Sequence, residues 1–448
     1  MSEKFDLILR GGTTHTPDSS SPEGVRASQS DVAIKDGRIA KIGLTPTDEA
    51  ETIFDATGLD ILPGLLDTQV HFREPGLEHK ETLKGGSLGA VAGGVTAVFE
   101  MPNTKPSTTT LERFDFKVQR AQETMWCDFA FYAGGSPENI DNLPLLEQQP
   151  FCSGVKIFMG SSTGSLLVSE DEMLDQILSK VQRRVSVHCE DEARLIERFS
   201  IVKDCGDPAM HPVWRDEQTA IQATKRIVGL ARKNGKKVHT LHITTAEELD
   251  FLRDNKDIAT VECLPQHLTL SAPECYERLG TKAQMNPPIR ESRHRDALWK
   301  AIADGTIDVL GSDHAPHTLE EKSKSYPNTP SGMTGVQTIV PVMLNHINSG
   351  RLSLARLTQL MAHNPKRIWG LKDIGSLEVG ARANITVVDM KKQKTIEDSW
   401  IQSIAGWTPY HGVKVKGWPI ATLVGGQFAM REDQILAKPN NQGIQFSN

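Results

Sequence analysis

Eight short apolar runs, each leading into a stretch of helical periodicity, constrain this chain more than any other feature. In order they are ILPGLLDTQVHF, TAVFEMPN, DFAFYAG, GVKIFMG, RVSVHCED, KVHTLHITT, ATVECLP and IDVLGSDHAPH. Between them lie segments such as LERFDFKVQRAQET, EDEMLDQILSKVQ, DEQTAIQATKRIVGLARKNG and ESRHRDALWKAIADG, in which apolar residues recur every three or four positions. Strands that are apolar along nearly their whole length belong to a parallel sheet buried on both faces. Eight strand–helix units of this kind predict an α/β protein with a (β/α)8 TIM barrel. A doubly wound open sheet is the alternative, but no GxGxxG follows the first strand.

The chain ends have a different texture. FDLILRGG, DVAIKDGRIAKIG and TIFDATGLDILPG at one end, and SLEVGARANITVVDM and GVKVKGWPIATLVGGQFAM at the other, are short strands broken by turns. They predict a small β-domain built from both termini, residues 1–62 and 375–435, around a barrel of residues 63–374. The KDGR segment is a tight-turn signal. The polar tail from Lys438 to Asn448 is expected to be loosely ordered. A length of 448 residues accommodates one barrel and one satellite domain.

Composition excludes several classes. No apolar run approaches the roughly 20 residues that cross a bilayer, and Met1 to Arg10 carries no secretory signal. A cytoplasmic enzyme is therefore expected. The net charge of −7 gives no sign of a nucleic-acid or membrane partner, so an anionic substrate would need local Arg and Lys residues. Six scattered cysteines with no CxxC pair predict buried reduced thiols rather than disulfides or a cysteine zinc site.

The polar residues fall at strand ends: His71, Asn103, Lys156, His188, His242 and Asp313. In a (β/α)8 barrel the C-terminal strand ends carry the active site. Alternation puts Asp67, Gln69, His71 and Arg73 on one side of the first strand. Lys156 lies between Val155 and Ile157 and points opposite to both. Spacing alone favours a lysine paired with a carboxylate or a substrate phosphate, over a neutral amine that has taken up carbon dioxide as a carbamate. His188 and His242 end adjacent strands, as two imidazole ligands of one zinc ion would. Asp313 offers a carboxylate that can ligate metal or move a proton.

GLLDTQVHFREPG, FEMPNT, GVKIFMG, VHCED, LHITT, QMNPPIR and GSDHAPH, in this order along essentially the whole chain, resemble the successive motifs of the amidohydrolase superfamily, specifically the bacterial class I dihydroorotases. The resemblance implies zinc, one or two ions, held by His71, Lys156 (carboxylated in many relatives), His188, His242 and Asp313. It implies Asp313 as general base, and Arg73, Asn103, Asn286 and His317 as substrate contacts. Backbone groups of Pro330-Ser331-Gly332 would face the ring. It also implies a homodimer. The reaction implied is reversible cyclisation of N-carbamoyl-L-aspartate to L-dihydroorotate in pyrimidine biosynthesis, Arg73 clasping the substrate carboxylate.

Two positions depart from the family pattern. Gln69 stands where the first imidazole of a His-x-His pair is usual, and glutamine is a weaker zinc ligand. Gln266 stands in LPQHLTL where relatives show a second histidine, with no role assignable from sequence. Two other readings stay open: an allantoinase or hydantoinase, and a non-catalytic dihydroorotase-like partner of aspartate transcarbamoylase. The loop SDHAPHTLEEKSKSYPNTPSGMTG is expected to act as a lid or specificity element, its EEKSK part solvated.

Overall fold

The computed structural model of the chain describes residues 4–43, 47–161 and 166–447. Eight parallel strands form one sheet in sequential order: Leu65–Val70, Val95–Glu100, Asp128–Gly134, Cys152–Phe158, Val185–His188, Val238–Thr240, Ala259–Cys263 and Val309–Leu310. They are the eight apolar runs of the sequence. The first seven are buried at every position because barrel side chains fill the interior on one face and meet helices on the other.

Closure between the last strand and the first uses side chains as well as backbone. His71 N–H donates to the His314 carbonyl at 2.8 Å, and Val70 bridges His314 in parallel. Below this point the Asp67 carboxylate accepts the backbone N–H of Ser312 at 3.0 Å and of Gln69 at 3.2 Å. Asp67 is fully buried, and burial pushes its carboxyl up to about 7. It therefore fixes the register of the two strands that carry Gln69, His71 and Asp313.

The outer helices follow from amphipathic periodicity and capped starts. Glu217–Lys233 begins at Asp216, whose side chain accepts the Thr219 N–H. Ala246–Arg253 begins with a capping box between Thr245 and Glu248.

Both termini contribute to the β-structure beside the barrel. A seven-stranded sheet pairs Asp60–Pro63 antiparallel with Ile385–Thr395, joining the N-terminal strands to the C-terminal ones. A four-stranded sheet from the first 55 residues packs alongside, and Asp36 and Gly37 at the KDGR turn both have positive φ, as a tight hairpin requires. Asp128, at the N-terminal end of the third barrel strand, anchors the two units. It takes a bidentate pair from Arg382 at 2.8 and 3.0 Å and an Asn384 amide hydrogen bond at 2.7 Å.

Three expectations fail. The tail docks rather than straying: Ile444 and Phe446 are buried, and Phe446 packs edge-on against Phe99 and bridges to Leu371. Its backbone also pairs with the third barrel strand, Ile444 N–H donating to the Phe129 carbonyl at 2.8 Å and Gln442 N–H to the Asp128 carboxylate at 2.8 Å. Cys205 is exposed, in a turn flanked by Asp204 and Gly206, while the other five cysteines are buried. Lys322, inside the EEKSK segment, is 1% exposed and donates to the Gln284 and Pro330 carbonyls. Among the described residues no helix is long and apolar enough to cross a membrane.

Candidate active site

The C-terminal strand ends open into a cavity with about 350 Å³ of empty space, its solvent-facing mouth included. Gln69, His71, Arg73, Asn103, His188, His242, Asn286 and Asp313 all line it, with Phe158, Ala315, Ser331 and Gly332 completing the wall. Residues up to 244 positions apart thus meet within hydrogen-bond reach.

Three of these residues have left-handed backbones: Arg73 at φ 64°, His242 at 39° and Asp313 at 42°. Such angles are costly outside glycine and concentrate where function over-determines the chain. Local contacts hold them. The Glu262 carboxylate accepts the His242 N–H, and Ser312 beside Asp313 is tied through Asp67 and through the Gln266 amide at 2.8 Å. Gln266, without an assignable role from sequence, is thus a buried brace for the strand end that carries Asp313.

On one side of the cavity, His188 Nδ1 and His242 Nε2 face each other at 3.1 Å. The other nitrogen of His188 lies 2.8 Å from a Glu190 carboxylate oxygen, so Nε2 carries the proton and Nδ1 the lone pair. Glu190 is fully buried. Burial alone would raise its carboxyl, but Arg215 and His188 beside it hold it down to about 2. Burial lowers both His188 and His242, keeping the imidazoles neutral.

Lys156 is fully buried, 4.4 Å from the Phe158 ring centre and near enough for its charge to act on His188 and His242. Its Nζ has no hydrogen-bond partner, and burial drives the amine down to about 7, against the opposing pull of Asp313. The carboxylate partner favoured by spacing is absent, because the nearby acids, Glu262 and Asp313, are committed to other groups.

On the other side, one Asp313 oxygen accepts the Gln69 amide N–H at 3.1 Å and stands 3.0 Å from His71 Nε2. His71 Nδ1 lies 2.7 Å from Asn103 Oδ1 and its Nε2 lies 3.0 Å from Asp313 Oδ1, so the ring is held at hydrogen-bond distance between two oxygen acceptors.

Arg73 is 1% exposed, and among the described residues no carboxylate stands within ion-pair distance of it. Its Nε donates to the Pro316 carbonyl at 3.3 Å, while Nη1 is buried with no partner. Asn286 is oriented by His211, whose Nε2 meets its oxygen at 2.9 Å. His317 does not line the cavity. It stands behind Arg73 and Ser331, its Nε2 donating to the Ser331 carbonyl at 3.0 Å and its Nδ1 accepting from Lys80 at 3.1 Å. Gly332 fits the wall only as glycine, since at φ 144° a Cβ would lie 2.3 Å from the Ala315 carbonyl oxygen.

Glu190, Arg215, His211 and Lys80 escaped the sequence reading. Glu190 was within reach, two residues beyond His188 and of the same parity. Arg215 and His211 arrive from an irregular connection and leave no periodic trace.

Two neutral imidazole nitrogens at 3.1 Å, a carboxylate locking the far side of one ring, and a buried partnerless amine nearby are what a divalent ion needs. These residues fit such an ion, for which Lys156 would be the third donor. Among the described residues no three His, Cys, Asp or Glu side chains alone could hold a metal.

Fold and mouth together define a hydrolase built on a parallel barrel. The chain belongs to the amidohydrolase family, whose pattern matches residues 61–429. It is 34% identical over 424 residues to the dihydroorotase of Methanosarcina mazei, covering 91% of this chain and 92% of that protein. It is 32% identical over 429 residues to the dihydroorotase of Bacillus subtilis, covering 92% and 97%. In structure it is similar to the L-hydantoinase (dihydropyrimidinase) of Arthrobacter aurescens, with a TM-score of 0.92 and 28% identity over 98% of this chain and 99% of that one.

Proposed function

We propose that the chain is a dihydroorotase of the class I kind, interconverting N-carbamoyl-L-aspartate and L-dihydroorotate. One observation carries the choice of substrate: the buried Arg73 guanidinium, without a carboxylate partner, facing the cavity beside His71 and Asp313. A buried unpaired charge costs several kcal/mol unless a ligand pairs with it. The α-carboxylate of dihydroorotate supplies that partner; hydantoin and allantoin, which lack the group, do not.

His188, His242 and Lys156 would hold a zinc ion, Lys156 as its carbamate. When bound, the ion would polarise the ring carbonyl and activate the attacking water. Asp313 accepts the proton from that water and returns it to the ring nitrogen as the amide bond breaks. Arg73 holds the carboxylate as a planar fork. Asn286 and the Ser331–Gly332 backbone orient the ring, and Asn103 keeps His71 in place. His317 acts from behind the wall, through Ser331. Residence in the cytoplasm and assembly as a homodimer belong to the same proposal.

The test is turnover by purified, zinc-loaded protein. The value of kcat/KM for dihydroorotate is expected to exceed that for hydantoin or allantoin by about a hundredfold or more. Higher turnover of a neutral ring moves the protein to the hydantoinase side. No turnover of any ring supports a non-catalytic partner. The metal assignment has a separate check in Glu190. Its replacement by Gln leaves His188 with a neutral acceptor and Arg215 without its carboxylate, and zinc affinity is expected to fall about 10- to 100-fold in a chelator competition.

A further inference from the structure

We infer that this centre takes a single divalent ion, on the His188–His242 side, and that Gln69 closes the neighbouring position by holding Asp313 with a hydrogen bond. The inference rests on the metal reading above and extends it.

The side formed by the first and last strands has three polar groups around one point: His71 Nε2, Asp313 Oδ1 and the Gln69 carboxamide. An ion there needs a lone pair from each. An imidazole at position 69 would present one, but the carboxamide presents an N–H, donated to Asp313 at 3.1 Å. Turning the amide over would set its oxygen against the carboxylate oxygen, two acceptors facing each other. Even with an ion between them, a neutral amide oxygen is a poor zinc ligand compared with imidazole. Gln69 is 1% exposed, and its Oε1 is buried without a partner, so the bond to Asp313 is what fixes its side chain.

The opposite side is built differently. The His188 and His242 nitrogens converge, Glu190 fixes the tautomer of one ring, and the buried Lys156 amine, whose charge acts on both rings, has no partner of its own. Three donors meet there once the lysine contributes an oxygen, and only two meet beside Gln69. Asp313 is then kept in position by a hydrogen bond, which leaves it a base rather than a structural ligand. Gln69 is a positioning residue for it.

Metal content of the whole protein tests this directly. After saturation with zinc and desalting, mass spectrometry should find about one ion per chain in the wild type and about two in Gln69→His, where the missing imidazole is restored. Gln69→Ala, too short to reach Asp313, should keep one ion while kcat falls more than KM rises. Two ions in the wild type would overturn the inference. So would one ion in a folded Gln69→His, or loss of the ion in Gln69→Ala. No zinc in the wild type would overturn the metal reading beneath it, a distinct result.

Discussion

Asp313→Asn is expected to lower kcat by about two to four orders of magnitude, the usual contribution of a positioned general base, while the protein keeps its fold. Asparagine suits this position in every respect but one. It tolerates the left-handed backbone that Asp313 adopts at φ 42°, whereas most side chains there would add strain. Its carbonyl oxygen can still accept the Gln69 N–H, and its volume is the same. What it lacks is the capacity to take a proton from water and pass it to the ring nitrogen. The thermal midpoint is therefore expected to stay within a few degrees of wild type, and KM to change much less than kcat. Asp313→Ala would lose turnover equally, and would also forfeit the Gln69 hydrogen bond and strain the turn. Asp313→Asn with near wild-type kcat would remove Asp313 from the chemistry.

The barrel was legible because its signal is repeated. The strand within each apolar run is fully buried in the same way, so eight weak indications agree. Part of the site was legible for a related reason: strand ends are where periodicity forces polar residues to face the barrel mouth, and His71, His188, His242 and Asp313 line one cavity there, with Lys156 buried close by. Groups that enter from connections carry no such mark. Arg215 and His211 lie in a stretch of short turns and shape the cavity only through Glu190 and Asn286. His317 was placed in the cavity by resemblance, yet the turn after Pro316 carries it behind Ser331. Lys156 shows the limit of spacing arguments. Alternation placed its side chain inside the barrel correctly, but whether a carboxylate waited there depended on what Glu262 and Asp313 were already bonding.

Arg73→Met should weaken use of dihydroorotate selectively. Removing one partner of a desolvated, hydrogen-bonded charge pair costs about 2–5 kcal/mol, or roughly 30-fold to several-thousand-fold in kcat/KM, most of it expected in KM. Methionine fills similar space along the side chain, so the loss is electrostatic rather than a collapse of the wall. The free enzyme gives up little by the change. Arg73 is buried, desolvation lowers its pKa to about 10, and its contacts in the unliganded site are a backbone carbonyl and the neighbouring His317 ring. Stability should be unchanged or slightly higher, since a buried charge without a carboxylate partner has been removed. Arg73→Lys should fall between the two, because an ammonium restores the charge without the planar fork. A neutral six-membered analogue without the carboxylate separates the two explanations for any loss. If Arg73 serves the anion, turnover of the neutral ring stays level or rises in Arg73→Met as that of dihydroorotate falls, narrowing the preference by the same factor. Parallel losses on both rings would mean that Arg73 shapes the cavity rather than recognises the acid, and would return the hydantoinase reading to first place.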